Sequence, residues 1–305
     1  MRNIAVLVTC HNRKEKTLSC FRTLFAALDK YNGCRDESAK ISLVTYLTDD
    51  GCTDGTAEAV RQLIGNQEFN VIKGDGNLFW NGGMRAAWNE ALKRHEEWDF
   101  YLLLNDDTDI MENAFEELLK THDYCIAKYG RDGMYSGITC SKSDDNEMTY
   151  GGNVFTNRFL AKTVRLEPTG EPQMCDLTNA NILLVSKDVV DKIGIFWEGY
   201  KHGNADGDYS LKARKHGIPV LLTSCFVGRC NYDHDHDKEE GDKVIAMSLK
   251  ERRKYFSKPT RSNRDYIKFV RRHETLRLPM VLFGRFLNVY FPRLYYSMKN
   301  KANAD

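Results

Sequence analysis

The run Tyr101 to Asp109, YLLLNDDTD, carries an apolar strand directly into Asp106, Asp107 and Asp109. Charge at the end of a buried strand must be solvated, paired or bound to a cation, because leaving it bare in an apolar setting is too costly. Open α/β sheets bind ligands at the C-terminal edge of their strands. The stretch therefore predicts a divalent cation held by Asp107 and Asp109, or by Asp106 and Asp107, with a phosphate-rich ligand beyond it; the competing reading is a plain solvated turn.

Four other stretches carry groups of the same kind. TDDGCTDGT, around Asp49 and Asp50, closes a second apolar strand. GDGNLFWNGGMRAAWNEALKR, Gly74 to Arg94, runs from a glycine and asparagine loop into a helix. There Gly82 and Gly83 would permit close backbone approach to a ligand, and a helix N-terminus favours an anion. ADGDYSLKARKHG places Asp206 and Asp208 ahead of a helix from about Tyr209 to Lys215, where a carboxylate can cap. CNYDHDHD, residues 230–237, alternates His234 and His236 with aspartates, either as cation ligands or as an acidic loop.

These groups need a frame. Residues 4–9 form a buried first strand, and apolar residues from Thr17 to Leu28 recur at helical spacing. Ile41 to Leu47 is a second strand, Thr56 to Ile64 a helix and Phe69 to Ile72 a third strand. Three β-then-helix units argue an α/β, mostly parallel sheet flanked by helices. Asn113 to Lys120 reads as a helix, Gly130 to Thr139 holds a short strand, and Met148 to Thr163 reads as a hairpin or irregular pair. A loop at Pro168 to Gln173, a strand at Asn181 to Ser186, a helix at Lys187 to Ile193 and an aromatic loop at Trp197 to Asn204 follow. A Rossmann dinucleotide site is disfavoured, because the first turn lacks the GxGxxG spacing.

Composition bounds the rest. The 305 residues, 42% hydrophobic, can bury one large core or two modest ones. The nine cysteines are dispersed with no CxxC pair, which together with an N-terminus that does not read as a signal peptide predicts free thiols and a cytoplasmic location. No apolar stretch reaches the length of a membrane span. From Lys250 to Asp305 there are 15 Lys or Arg against 4 Asp or Glu, a net of +11, within a chain whose total is +1. Residues 1–240 thus read as the α/β domain and 241–305 as a basic, largely helical extension. The tail's apolar and aromatic residues framed by arginines suit peripheral contact with an anionic membrane on the cytoplasmic face, or packing on the domain or a second subunit. A net acidic sheet portion disfavours nucleic acid as a partner.

Taken in order over residues 4 to 238, these stretches resemble the family 2 glycosyltransferases, inverting enzymes of the GT-A fold, and look closest to rhamnosyltransferase-like members of bacterial polysaccharide assembly. The resemblance implies a nucleotide pocket built from Thr9, Asn12, Arg13, Asp50, Gly82, Gly83 and Asp106. It implies Mg²⁺ or Mn²⁺ at Asp107, with Asp109 and His234, or His236 in its place, as further ligands, and Asp206 as the base that deprotonates an acceptor hydroxyl. The donor would be a nucleotide-diphosphosugar and the acceptor a saccharide or lipid-linked saccharide. The family's acidic helix motif is altered here, since Ala205 stands where a glutamate is usual. Two other classes compete: a nucleotidyltransferase, which would open on a glycine-rich loop absent after Thr9, and a non-catalytic cation- or nucleotide-binding module.

Overall fold

The computed structural model describes residues 1–33, 35–232, 237–258 and 264–302. Its first half alternates strands and helices: β1 (Arg2–Cys10), α1 (Lys14–Asn32), β2 (Ile41–Asp49), α2 (Thr56–Ile64), β3 (Phe69–Lys73), α3 (Phe79–Ala91), β4 (Phe100–Leu104), β5 (Asp109–Ile110), α4 (Ala114–Tyr129) and β6 (Met134–Cys140). Strand β1 lies between β2 and β4 and runs parallel to both. Alternate residues of β1 feed two cores. Ala5 and Leu7 pack beneath α3, while Ile4, Val6 and Val8 pack beneath α1 with Phe21 and Leu24. Burial on both faces explains why the strand reads as an unbroken apolar run.

After β6 the chain makes no helical crossover. It instead passes through β7 (Met148–Tyr150), β8 (Gly152–Asn157), β9 (Lys162–Arg165), β10 (Gln173–Met174) and β11 (Leu177–Thr178), with β8 and β9 forming the antiparallel hairpin. The next long strand, β12 (Ile182–Ser186), is antiparallel to both β4 and β6. The central sheet is therefore mixed, in the order β10-β13-β6-β12-β4-β1-β2-β3, where the sequence suggested a mostly parallel one. A parallel neighbour needs a crossover of a dozen or more residues, usually a helix, and residues 141–181 supply strands and turns instead. Helices α5 (Lys187–Ile193) and α6 (Ala205–Lys215) then lead to β13 (Val220–Arg229), which is parallel to β6.

The C-terminal segment forms α7 (Asp237–Ala246), α8 (Leu249–Tyr255), α9 (Arg264–His273), α10 (Leu278–Tyr290) and α11 (Pro292–Ala302). Helix α9 packs on α6, and its Phe269 and Val270 join the core that holds Trp88, Phe196 and Tyr209. The charged counterpart of that packing is Asp208, 2% exposed, whose carboxylate accepts from Arg272 Nε (2.7 Å), His273 Nε2 (2.6 Å) and Tyr200 Oη (2.9 Å). Burial pushes the Asp208 pKa up, but the donors from His273, Arg272 and Tyr200 outweigh it and hold the group below the usual carboxylate range. Truncating one member of a buried ion pair strands the other. Asp208→Ala should cost about 3 kcal/mol in urea unfolding at neutral pH. The deficit should shrink as pH falls below the ordinary carboxylate range, where the wild type loses the same contribution on protonation.

Candidate active site

Because β1 sits between β2 and β4, the ends of all three open on one edge, and a cavity of about 320 Å³ lies there. Thr9 at the end of β1 lines it, with His11 and Arg13 from the loop after β1, Asp50 just after β2 and Asp106 from the turn after β4, and Phe79, Trp80 and His202 complete its walls. A larger concavity of about 550 Å³ near the start of β6, lined by Arg131, Asp188 and Lys192 among others, contains none of the residues singled out from the sequence.

Asp50 is buried, and its carboxylate accepts the backbone N–H groups of Gly76 (2.8 Å), Leu78 (3.3 Å) and Phe79 (3.1 Å). It thereby fills the N-terminus of α3, where the sequence suggested a bound anion. A Cβ on Gly74 would lie 2.5 Å from Asp50 Oδ1, so only glycine lets the loop close over this carboxylate. Phe79 adopts φ 55°, unusual for a bulky residue, and is fixed there by the Asp50 bond.

Gly82 and Gly83 lie inside the first turns of α3 and not in the loop before it. A Cβ on Gly83 would meet Thr9 Oγ1 at 2.0 Å, so Gly83 serves the contact between α3 and β1. Asn12 ties two loops together, its Oδ1 accepting from Thr53 N (2.8 Å).

Asp106 and Asp107 share Arg13. The guanidinium bonds Asp106 Oδ1 at 3.1 Å and also reaches Asp107, while Thr17 Oγ1 donates to Asp106 at 3.3 Å. Burial pushes the Asp106 pKa up to about 6 against the opposing pull of Arg13. Asp109 stands on β5, paired with Lys142 at 2.7 Å, and its Oδ1 is buried with no hydrogen-bond partner. His234 and His236 lie outside the described residues. Among the described residues no group of three His, Cys, Asp or Glu side chains could hold a metal ion. What the donor set fits is a more open mode, in which one or two carboxylates bind Mg²⁺ or Mn²⁺ and substrate phosphates supply further ligands. Asp106 and Asp107 are the pair for that mode.

Asp206 lines a different cavity, of about 330 Å³, walled by Asn153, Phe155, Asn179, Tyr266, Phe269 and Arg277 among others. Helix α6 begins at Ala205, so Asp206 sits within its first turn and not ahead of it; its Oδ1 accepts from Gly207 N at 2.9 Å. Burial raises its pKa, the Gly207 N–H opposing. Thus Thr9, Arg13, Asp50 and Asp106 share one cavity and Asp206 faces another. The two are joined by residues 202–204, since His202 lines the first and Asn204 the second.

That connecting segment is held by residues the sequence did not single out. Asn81, fully buried on α3, donates through Nδ2 to the carbonyls of Trp197 (3.0 Å) and Tyr200 (2.7 Å), and its N–H meets the Lys201 carbonyl (3.3 Å). From the other side, Asp265 Oδ2 accepts from the N–H groups of Lys201 and His202, both at 2.9 Å. The one available hint was compositional: Asp265 is among only four acids in the basic tail. Trp80, beside Asn81, donates from Nε1 to Asn105 Oδ1 at 2.8 Å.

No family model and no curated protein matches the chain. Among solved structures, it is similar to the crystal structure of GalNAc-T7 with UDP, GalNAc and Mn²⁺, at 15% identity and a TM-score of 0.53, over 75% of this chain and 43% of that one. It is also similar to the crystal structure of S. aureus TarS, at 15% identity and a TM-score of 0.50, over 81% of this chain and 40% of that one. The fold is GT-A-like. The chain spans less than half the length of either structure, and at this identity the likeness concerns the fold alone.

The carboxyl carbon of Asp106 should titrate by NMR near pH 6, and Arg13→Gln should move that midpoint upward. Since the folded value lies above the unfolded one, the stability Asp106 contributes is fully present below the ordinary carboxylate range and is lost as pH rises through about 6.

Proposed function

We propose that the chain transfers a sugar from a nucleotide-diphosphosugar to a hydroxyl of a glycan or lipid-linked saccharide, with inversion at the anomeric carbon. The observation that carries this reading is the pair of cavities, one with Arg13 and Asp106 at the strand edge and one with Asp206, lined by His202 and Asn204 of a single loop. The GT-A-like fold supports it, and the similar GalNAc-T7 structure, described as holding UDP and Mn²⁺, supports the choice of ligands.

The nucleotide would occupy the first cavity, with the aromatic rings of Phe79 and Trp80 available for stacking and His11 and His202 as polar neighbours. Arg13 offers charge to the diphosphate. A divalent cation, held by Asp106 and Asp107, would neutralise further negative charge as the diphosphate departs. The acceptor would lie in the second cavity, where Tyr266 and Phe269 present stacked rings beside Asn153 and Asn179. Asp206 would take the proton from the acceptor hydroxyl as its oxygen attacks the anomeric carbon; the bond to the diphosphate breaks and that group leaves with the electron pair. A raised pKa suits a carboxylate to this work. Single displacement needs no covalent nucleophile, and burial with the adjacent Cys52 thiol pushes the Cys10 thiol far up, away from nucleophilic use. We place the reaction in the cytoplasm; the described cysteines are free thiols, which suits a reducing compartment.

Calorimetry with UDP, GDP and dTDP should detect binding by at least one of them, strengthened by Mn²⁺ and weakened in Asp107→Ala. Binding of none, with or without the cation, overturns the donor assignment. In Asp206→Asn, transfer should fall about a hundredfold or more with nucleotide binding retained, and the rise of rate with pH set by this carboxylate should disappear. Transfer that survives in Asp206→Asn, or a retained anomer by NMR, removes the base and the inverting step. Nucleotide binding with no transfer to any saccharide would favour a non-catalytic binding module.

A further inference from the structure

Helices α8, α9 and α10 enclose a surface groove of about 490 Å³. Arg253, Arg264 and Arg285 line it together with Phe256, Phe286 and Tyr290. Among the described residues none of these three arginines has an ion-pair partner, whereas Arg272 and Arg277 in the same segment pair with Asp208 and Glu274. Three guanidinium groups thus converge with no counterion among the described residues, a geometry that attracts a multivalent oxyanion.

The surface beside the groove is apolar and uncovered. Leu282, Phe283, Phe286 and Tyr290 recur at three- and four-residue intervals on α10, and Phe291 and Leu294 continue the ridge into α11. Phe283 is 58% exposed and Phe291 53%. A contiguous apolar ridge beside cations is an interaction surface and not scattered surface hydrophobicity. No described helix is long and apolar enough to cross a membrane. A helix with bare aromatic and aliphatic residues beside arginines is suited to lie in the plane of a lipid headgroup layer.

We propose that this face docks on an anionic membrane, the arginine groove taking a lipid phosphate headgroup while the ridge of α10 and α11 enters the headgroup and acyl boundary. Charge decides between this occupant and a second copy of the chain. The segment carries a net +11 from Lys250 to Asp305, so two copies meeting through it would bring like charge together, whereas an anionic bilayer neutralises it.

Co-sedimentation of the full chain with vesicles tests the assignment without reference to sugar transfer. Binding to equimolar phosphatidylcholine and phosphatidylglycerol is expected, weakening with salt, with binding to phosphatidylcholine alone at least about tenfold weaker. R253Q/R264Q/R285Q should lower partitioning onto the anionic vesicles about a hundredfold, and F283S/F286S about tenfold or more, with melting temperatures kept near that of the wild type. Equal binding to both compositions overturns the headgroup site, as does failure of the wild type to sediment with anionic vesicles. A concentration-dependent dimer that F283S/F286S abolishes, in the absence of vesicle binding, overturns the membrane and assigns the ridge to self-association.

Discussion

One buried carboxylate sets the position of much else. Asp50 satisfies three backbone N–H groups where the loop after β3 enters α3, and a helix end left without such a partner would be destabilised by its orphan donors. With α3 fixed against β1 through Gly83 and Thr9, Asn81 is aimed at the carbonyls of Trp197, Tyr200 and Lys201. The segment so held is the one whose His202 and Asn204 line the two cavities. It is gripped again from the tail by Asp265, and the tail is anchored in turn by Asp208. The chain of dependence runs from a strand end through a helix cap to a distant loop, and its polar links are buried groups bonded to remote backbone, Asn81 through its Nδ2 while its Oδ1 is left without a hydrogen-bond partner.

The electrostatics of the first cavity follow from crowding charge into one edge. Two carboxylates share Arg13, and the buried one is driven toward protonation by loss of water and by its neighbour, with Arg13 as the largest opposing influence. That is a poor arrangement for stability, since removing charge from water costs more than one partner returns. It is a good arrangement for a ligand that brings both a cation and an anion, because the cation can share the carboxylates while phosphate oxygens meet the guanidinium. The same reasoning separates Asp50 from this group: its carboxylate is committed to backbone donors and has little capacity left for a ligand.

What could be read from the sequence was whatever leaves a local pattern. The continuous apolar run of β1, the helical spacing of α1 and the span of α2 all follow from burial on a sheet, and they brought Thr9, Arg13, Asp50 and Asp106 to one edge. The direction of β12 left no such trace, because an apolar strand reads the same in either orientation and only the lack of a crossover helix hinted at reversal. The start of α6 was read too late because Asp206 and Gly207 are poor helix formers, and tertiary contacts overrode that preference. Asn81 and Asp265 were out of reach for a different reason. Their bonds span 116 and 119 residues for Asn81 and 64 and 63 for Asp265, and a polar side chain serving a remote backbone has no periodicity to betray it.

The C-terminal helices show how one segment can serve two surfaces. Of the four acids in the last 56 residues, Asp265 and Glu274 are buried, so almost all of the tail's solvent-facing charge is positive. The inward face of α9 contributes Phe269 to the wall of the second cavity and Asp265 to the grip on Lys201 and His202, while the outward face of α10 is apolar and bare. Helices α9 and α10 pack on each other. A surface engaged through α10 is therefore one helix removed from the loop that joins the two cavities, and a displacement of α9 by even a fraction of an ångström would act directly on the two backbone N–H groups that Asp265 holds. Contiguous packing and hydrogen bonds thus connect the α10 surface to that loop.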